Sequence, residues 1–200
     1  MKLDARVITE NFTQRPVWAE IDLDAAAANM RELRNLVGPQ VLIASVVKAN
    51  AYGHGAIEMA KIYLENGADQ LAVAYLDEGI ELRQAGITAP IFILGHTDGC
   101  RASELIAYGI DAAIFHERDA RRISEEAVRQ NRTVCVHIAV DTGMGRIGFL
   151  PNEESIAAIQ RIALFPNMRI AGMFTHFSVS DMADAESIAY TKKQFEQLQW

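Results

Sequence analysis

From residue 41 onward, hydrophobic and polar positions repeat one pattern: a short β-branched run, then a longer segment with apolar residues at helical spacing. The pattern predicts strands over 41–47, 71–75, 91–94, 112–115, 133–140 and 168–175. It predicts helices over 54–66, 76–85, 101–108, 117–131, 152–164 and 183–200. Gly67, Gly86 and Gly109 follow three of these helices, where a left-handed residue commonly ends a helix. Ala120, Ile123 and Ala127 share one helical face, and Pro151-Asn152-Glu153-Glu154 reads as a helix start with acids in the first turn. Ahead of these units, residues 17–23 suggest a strand and 24–37 a helix.

Six strand–helix units in succession predict a parallel sheet covered by helices. Two topologies fit: an open doubly wound sheet, or a (β/α)8 barrel with its helices outside. The first strand–helix junction has no GxGxxG, which weakens the dinucleotide-binding version of the former. Six units are two fewer than a closed barrel, and Phe195-Glu196-Gln197-Leu198-Gln199-Trp200 carries no helix stop signal. On the barrel topology, residues 1–200 read as a single, incomplete domain. No linker, low-complexity tract or repeat interrupts it.

Half of the residues are hydrophobic and 22% are charged, an ordinary globular balance. The formal charge of −7 argues against nucleic acid or an anionic membrane as a partner. No apolar run reaches transmembrane length, and residues 1–10 lack a secretory apolar core after Lys2. Cys100 and Cys135 are far apart, as expected of idle thiols in a reducing cytoplasm. No HxH or HExxH pattern points to a metal.

Active sites in both parallel topologies lie at the C-terminal ends of the strands. Lys48 directly follows the first long apolar run, unlike Lys2, Lys61, Lys192 and Lys193. A lysine desolvated there suits Schiff-base chemistry; the other reading is a snorkelling side chain beside a glycine turn. Tyr52, Gly53 and Gly55 follow, a hydroxyl and a close backbone approach before a helix, which suits a phosphate. After the fifth strand comes Asp141-Thr142-Gly143-Met144-Gly145-Arg146-Ile147-Gly148, whose Arg146 either holds an oxyanion or is salt-bridged at the surface. The sixth strand ends at Phe174-Thr175-His176-Phe177-Ser178; His176 is a stacking, proton-transfer or structural histidine. His54 reads as a turn residue, and His96 and His116 as strand-exit residues. Along the fifth strand, Val134, Val136, Ile138 and Val140 form a face for packing under helices. Thr133, Cys135, His137 and Ala139 form the opposite face, towards a barrel interior. Lys48, Arg146 and His176 thus converge on one end of the sheet.

VVKANAYGHG (residues 46–55) resembles the cofactor-attachment signature of alanine racemases, a highly specific motif. DTGMGRIG (141–148), FTHF (174–177) and the opening PVWAEIDL (16–23) resemble further segments of that family, in the same order. The resemblance implies a (β/α)8 barrel that binds pyridoxal phosphate, followed in complete enzymes by a β-rich domain absent from this sequence. It implies a cytoplasmic homodimeric isomerase that interconverts L- and D-alanine, supplying D-alanine for peptidoglycan. It makes Lys48 the Schiff-base lysine and one of two bases, with Tyr52 on the phosphate. Arg146 would contact the phenolic oxygen and the substrate carboxylate, and His176 would pack on the pyridine ring. The second base, a tyrosine of the partner subunit's β-rich domain, would lie beyond Trp200, so the 200 residues alone are expected to be inactive. The family commonly has a lysine, often carbamylated, where this chain has Ala139; another group must then steady Arg146. Two alternatives stand beside this reading: racemisation of another small amino acid such as serine, and a non-catalytic barrel that binds pyridoxal phosphate.

Overall fold

The β-branched runs become strands only where a neighbouring strand lies in register. The computed structural model describes residues 17–200; the readings of residues 1–10, Lys2 and Pro16 fall outside them. Helix α1 (Leu23–Val37) leads into β1 (Ala44–Val46), then α2 (Ala56–Glu65), β2 (Gln70–Val73), α3 (Leu76–Gln84) and β3 (Ile91–Ile93). After a 3-10 turn come α4 (Ala102–Tyr108), β4 (Ala112–Ile114), α5 (Glu117–Arg129), β5 (Val134–Ala139), α6 (Glu153–Ala163), β6 (Met168–Phe174) and α7 (Ala185–Gln199). The six units sit where the pattern put them, with shorter strands, because ladder pairing ends before the apolar runs do.

All pairings are parallel and join strands consecutive in sequence: β1 to β2, β2 to β3, β4 to β5 and β5 to β6. A parallel bridge between Phe92 and Asp111 continues the wall from β3 towards β4. The Asp111 N–H donates to the Ile91 carbonyl at 2.9 Å, and the Ile93 N–H to the Asp111 carbonyl at 2.8 Å. Sequential order without a reversal is the order of a (β/α)8 barrel wall, not of a doubly wound sheet.

The expected strand over 17–23 is absent. Val17 is 79% and Trp18 60% exposed, and no described strand lies beside them to complete a ladder. Asp22 instead caps α1, accepting from the Ala25 N–H at 2.9 Å. Asn152 does the same for α6 through the Ser155 N–H, also at 2.9 Å.

The core lies between the wall and the outer helices. Ala120, Ile123 and Ala127 of α5 are fully buried, as are Val136 and Ile138 of β5. The opposite face of β5 turns His137 onto Phe92, ring centroids 4.8 Å apart, and Phe92 meets Phe174 edge-on at 5.9 Å. Asp111 lies 3.5 Å from the His137 imidazole. This mixed aromatic and polar layer is the inward face that the alternation along β5 predicts. At the opposite ends of the strands, Arg83 donates to the carbonyls of Ile87, Ala89, Tyr108 and Gly109, joining helix ends. Among the described residues, no helix is long and apolar enough to cross a membrane.

Candidate active site

Val47 still pairs with β2, its N–H donating to the Ala72 carbonyl at 2.9 Å; the chain then turns left-handed. Ala49, Asn50, Ala51 and Tyr52 all have φ between 50° and 54°. Side chains normally avoid this conformation, at about 1–2 kcal/mol per residue. A run of such residues at a strand end marks stored strain, and strain of this kind concentrates at functional sites. The turn bonds internally, Ala51 N–H to Val47 carbonyl at 2.9 Å and Gly53 N–H to Asn50 carbonyl at 3.0 Å. Side chains fasten it from outside. The Asn50 amide oxygen accepts from Ala56 N–H at 2.8 Å, capping α2, and His54 contacts the Ala51 carbonyl at 2.9 Å. Glu78 of α3 accepts from Ala49 N–H at 2.7 Å and, with its other oxygen, from Ala74 N–H at 2.7 Å and Tyr75 N–H at 3.3 Å. The sequence reading missed Glu78. The spacing Tyr75-x-x-Glu78 is that of a helix start, but its reach to Ala49 is tertiary.

The turn places Lys48 and Tyr52 on one side, the Lys48 ammonium 6.0 Å from the Tyr52 ring centre. Lys48 is partly buried and Tyr52 exposed. His54 is structural, as its turn position suggests.

Beyond β5, Asp141 organises the second segment. Its carboxylate accepts from the N–H groups of Gly143, Gly145 and Arg146, each at 3.0 Å. Burial alone would raise its pKa, but these donors outweigh burial and hold the carboxyl below its ordinary range. The loop closes where Phe149 N–H meets the Ala139 carbonyl at 2.8 Å and Asp141 N–H meets the Phe149 carbonyl at 2.9 Å. Gly148 is required there: with φ +136°, a Cβ would stand 2.4 Å from the Asp141 nitrogen. The loop presents Arg146 to solvent. Other described arginines engage carboxylates, carbonyls, an amide or a thiol; Arg146 makes no side-chain hydrogen bond or ion pair with any described residue.

The third segment follows β6. The Thr175 hydroxyl is 2.8 Å from that of Thr142, which ties it to the Arg146 loop. The His176 ring is exposed, while its carbonyl accepts from the buried Gln194 amide at 3.2 Å. The parallel wall therefore puts all four expected residues at one end. Lys48 and Tyr52 share the β1 turn, and the segments of Arg146 and His176 are joined across β5 and β6. Ala139 is buried directly before the Arg146 loop.

His96 and His116, read as strand-exit residues, do follow β3 and β4. His96 pairs with buried Asp119 at 3.1 Å, and His116 precedes α5.

A sequentially ordered parallel wall with helices outside defines the (β/α)8-barrel class, whose sites lie at the C-terminal mouth, the end where the strained Lys48 turn and Arg146 stand. The family model described as the alanine racemase N-terminal domain matches residues 21–200. An alanine racemase of Clostridium perfringens is 53% identical over 184 residues, 92% of this chain and 47% of the relative. The solved alanine racemase of Clostridium difficile 630 superposes with a TM-score of 0.87 at 39% identity, covering 94% of this chain and 49% of that one. A histidine racemase of Leuconostoc mesenteroides superposes with a TM-score of 0.80 at 30% identity, covering 88% and 47%. The chain belongs to the alanine racemase family. It spans about half the length of the curated relatives it matches.

Proposed function

We propose that this chain is the pyridoxal-phosphate-binding barrel of a racemase that interconverts L- and D-alanine. The observation that carries the reading is Lys48, held with Tyr52 on a left-handed turn at the mouth, with the unengaged cation of Arg146 at the same end. These residues fit the cofactor: an amine for covalent attachment, a hydroxyl for its phosphate, and a guanidinium for its phenolic oxygen and the substrate carboxylate. When bound, the cofactor supplies a sink for the electron pair left by removal of the α-proton.

The residues of the chain do the rest. Lys48 Nζ would hold the cofactor, and as a free amine it would take or return the α-proton on one face. Arg146 orients the carboxylate, so that the Cα–H bond is presented to Lys48. His176 would help hold the cofactor's ring. Racemisation needs a second base on the opposite face; in this reading a partner subunit of a cytoplasmic homodimer would supply it. A racemase of a different amino acid is the second reading, favoured by the likeness to the histidine racemase.

The test uses the intact protein loaded with pyridoxal phosphate and given L-alanine, L-serine or L-histidine, with the D-isomer measured. Alanine is expected to racemise fastest, and Lys48→Ala to abolish the reaction. Faster turnover of histidine or serine would replace the substrate. No racemisation by cofactor-loaded wild type would favour a non-catalytic barrel.

A further inference from the structure

Arg146 and His176 stand on separate loops, and both loops rest on one buried side chain of α7. Gln194 is fully buried, and its carboxamide makes four hydrogen bonds. Its nitrogen donates to the Thr142 hydroxyl at 3.3 Å and to the His176 carbonyl at 3.2 Å. Its oxygen accepts from the Ser178 N–H at 3.1 Å and the Ser178 hydroxyl at 3.2 Å. The chemistry fixes the orientation of the amide. Turned over, it would set its oxygen against the His176 carbonyl and its nitrogen against the Ser178 N–H. Thr142 accepts from Gln194, so its own hydrogen is free to meet Thr175. One turn earlier on α7, the Tyr190 hydroxyl donates to the Gly143 carbonyl at 2.7 Å. Gly143 leaves room for it: a Cβ there would come within 2.6 Å of the Tyr190 oxygen.

We propose that Gln194 is a positioning residue that locks the Arg146 loop and the His176 loop into one register, so that both reach the same cofactor. The proposal rests on the functional reading above only in naming what the loops hold. A methionine at 194 would keep the volume and leave the Ser178 N–H and the His176 carbonyl without their partner in a partly buried place.

The experiment compares wild type with Gln194→Met in the intact protein, by amide hydrogen exchange and by titration with pyridoxal phosphate. Loss of the lock is expected to speed exchange about tenfold at Gly143, Gly145 and Arg146 and also at Ser178, while the amides of β2 and β3 keep their rates. Attachment to Lys48 is expected to persist, with a dissociation constant raised about tenfold. Faster exchange in only one loop, in neither, or uniformly through β2 and β3 would overturn the proposal. Loosened loops with unchanged cofactor affinity would also overturn it, leaving a purely structural amide. If Gln194→Met does not fold, Ser178→Ala removes one bond without a core change and carries the same test, with smaller shifts in the same direction. Failure of wild type to take up the cofactor would sink the functional reading alone, since the exchange pattern still decides whether the loops are coupled.

Discussion

Replacing Glu78 removes one outside support of the left-handed turn. Four residues in that conformation oppose folding by about 4–8 kcal/mol in total. Glu78 holds the turn through the Ala49 N–H at 2.7 Å, and its other oxygen anchors the carboxylate to the start of α3 through the N–H groups of Ala74 at 2.7 Å and Tyr75 at 3.3 Å. Charge-assisted bonds contribute about 1.5–3 kcal/mol each when buried, but Ala49 and Tyr75 are exposed enough for water to replace part of the loss. Glu78→Ala is therefore expected to destabilise by about 3 kcal/mol. Glu78→Gln, which keeps one acceptor and turns an NH2 towards a donor, should lose about 2 kcal/mol. Urea unfolding followed by circular dichroism reads both, and the midpoint should fall by about 1–1.5 M for the alanine variant. The turn carries Lys48 and Tyr52, so cofactor affinity should fall with stability. A change below about 0.5 kcal/mol in Glu78→Ala, with wild-type cofactor affinity, would refute the claim that this carboxylate holds the turn.

Three further predictions concern the Arg146 loop. Gly148→Ala puts a methyl group against the Asp141 nitrogen at positive φ, and should cost about 3 kcal/mol or more by thermal unfolding. The Asp141 carboxyl has a folded pKa below its unfolded one, so its stabilisation is present above about pH 4 and is lost as pH falls through the folded value. Asp141→Asn should therefore be less stable than wild type at pH 7, and the gap should narrow on acidification in denaturant titrations at several pH values. Ala139→Lys, in the intact protein, should change substrate KM or kcat by altering what steadies Arg146; unchanged kinetics would remove Ala139 from the account.

The units of the barrel were legible because their information is local: β-branched runs, helical spacing, and glycines such as Gly109, which closes α4 at φ +59°. Val17 and Trp18 misled because alternation specifies a strand only when a neighbour supplies the ladder. The four expected residues of the mouth were legible from motif and from their place after strands. Their supports were not. In Ala-Asn-Ala-Tyr only Asn50 tolerates a left-handed conformation readily, and part of the support comes from Glu78, 29 residues beyond Ala49. Gln194 likewise reads as one more polar residue on α7, because its burial arises only when two loops fold over it. Local signals predicted which groups reach the mouth; tertiary hydrogen bonds determine how they are held.

The central claim is that Lys48 carries the cofactor. It is tested most directly by loading the intact protein with pyridoxal phosphate, reducing it with borohydride and mapping the labelled peptide by mass spectrometry. The account predicts an absorbance band near about 420 nm before reduction, and afterwards a single pyridoxyl group on Lys48, absent from Lys48→Ala. Label on Lys61, Lys192 or Lys193 instead, or a band that survives in Lys48→Ala, would contradict it.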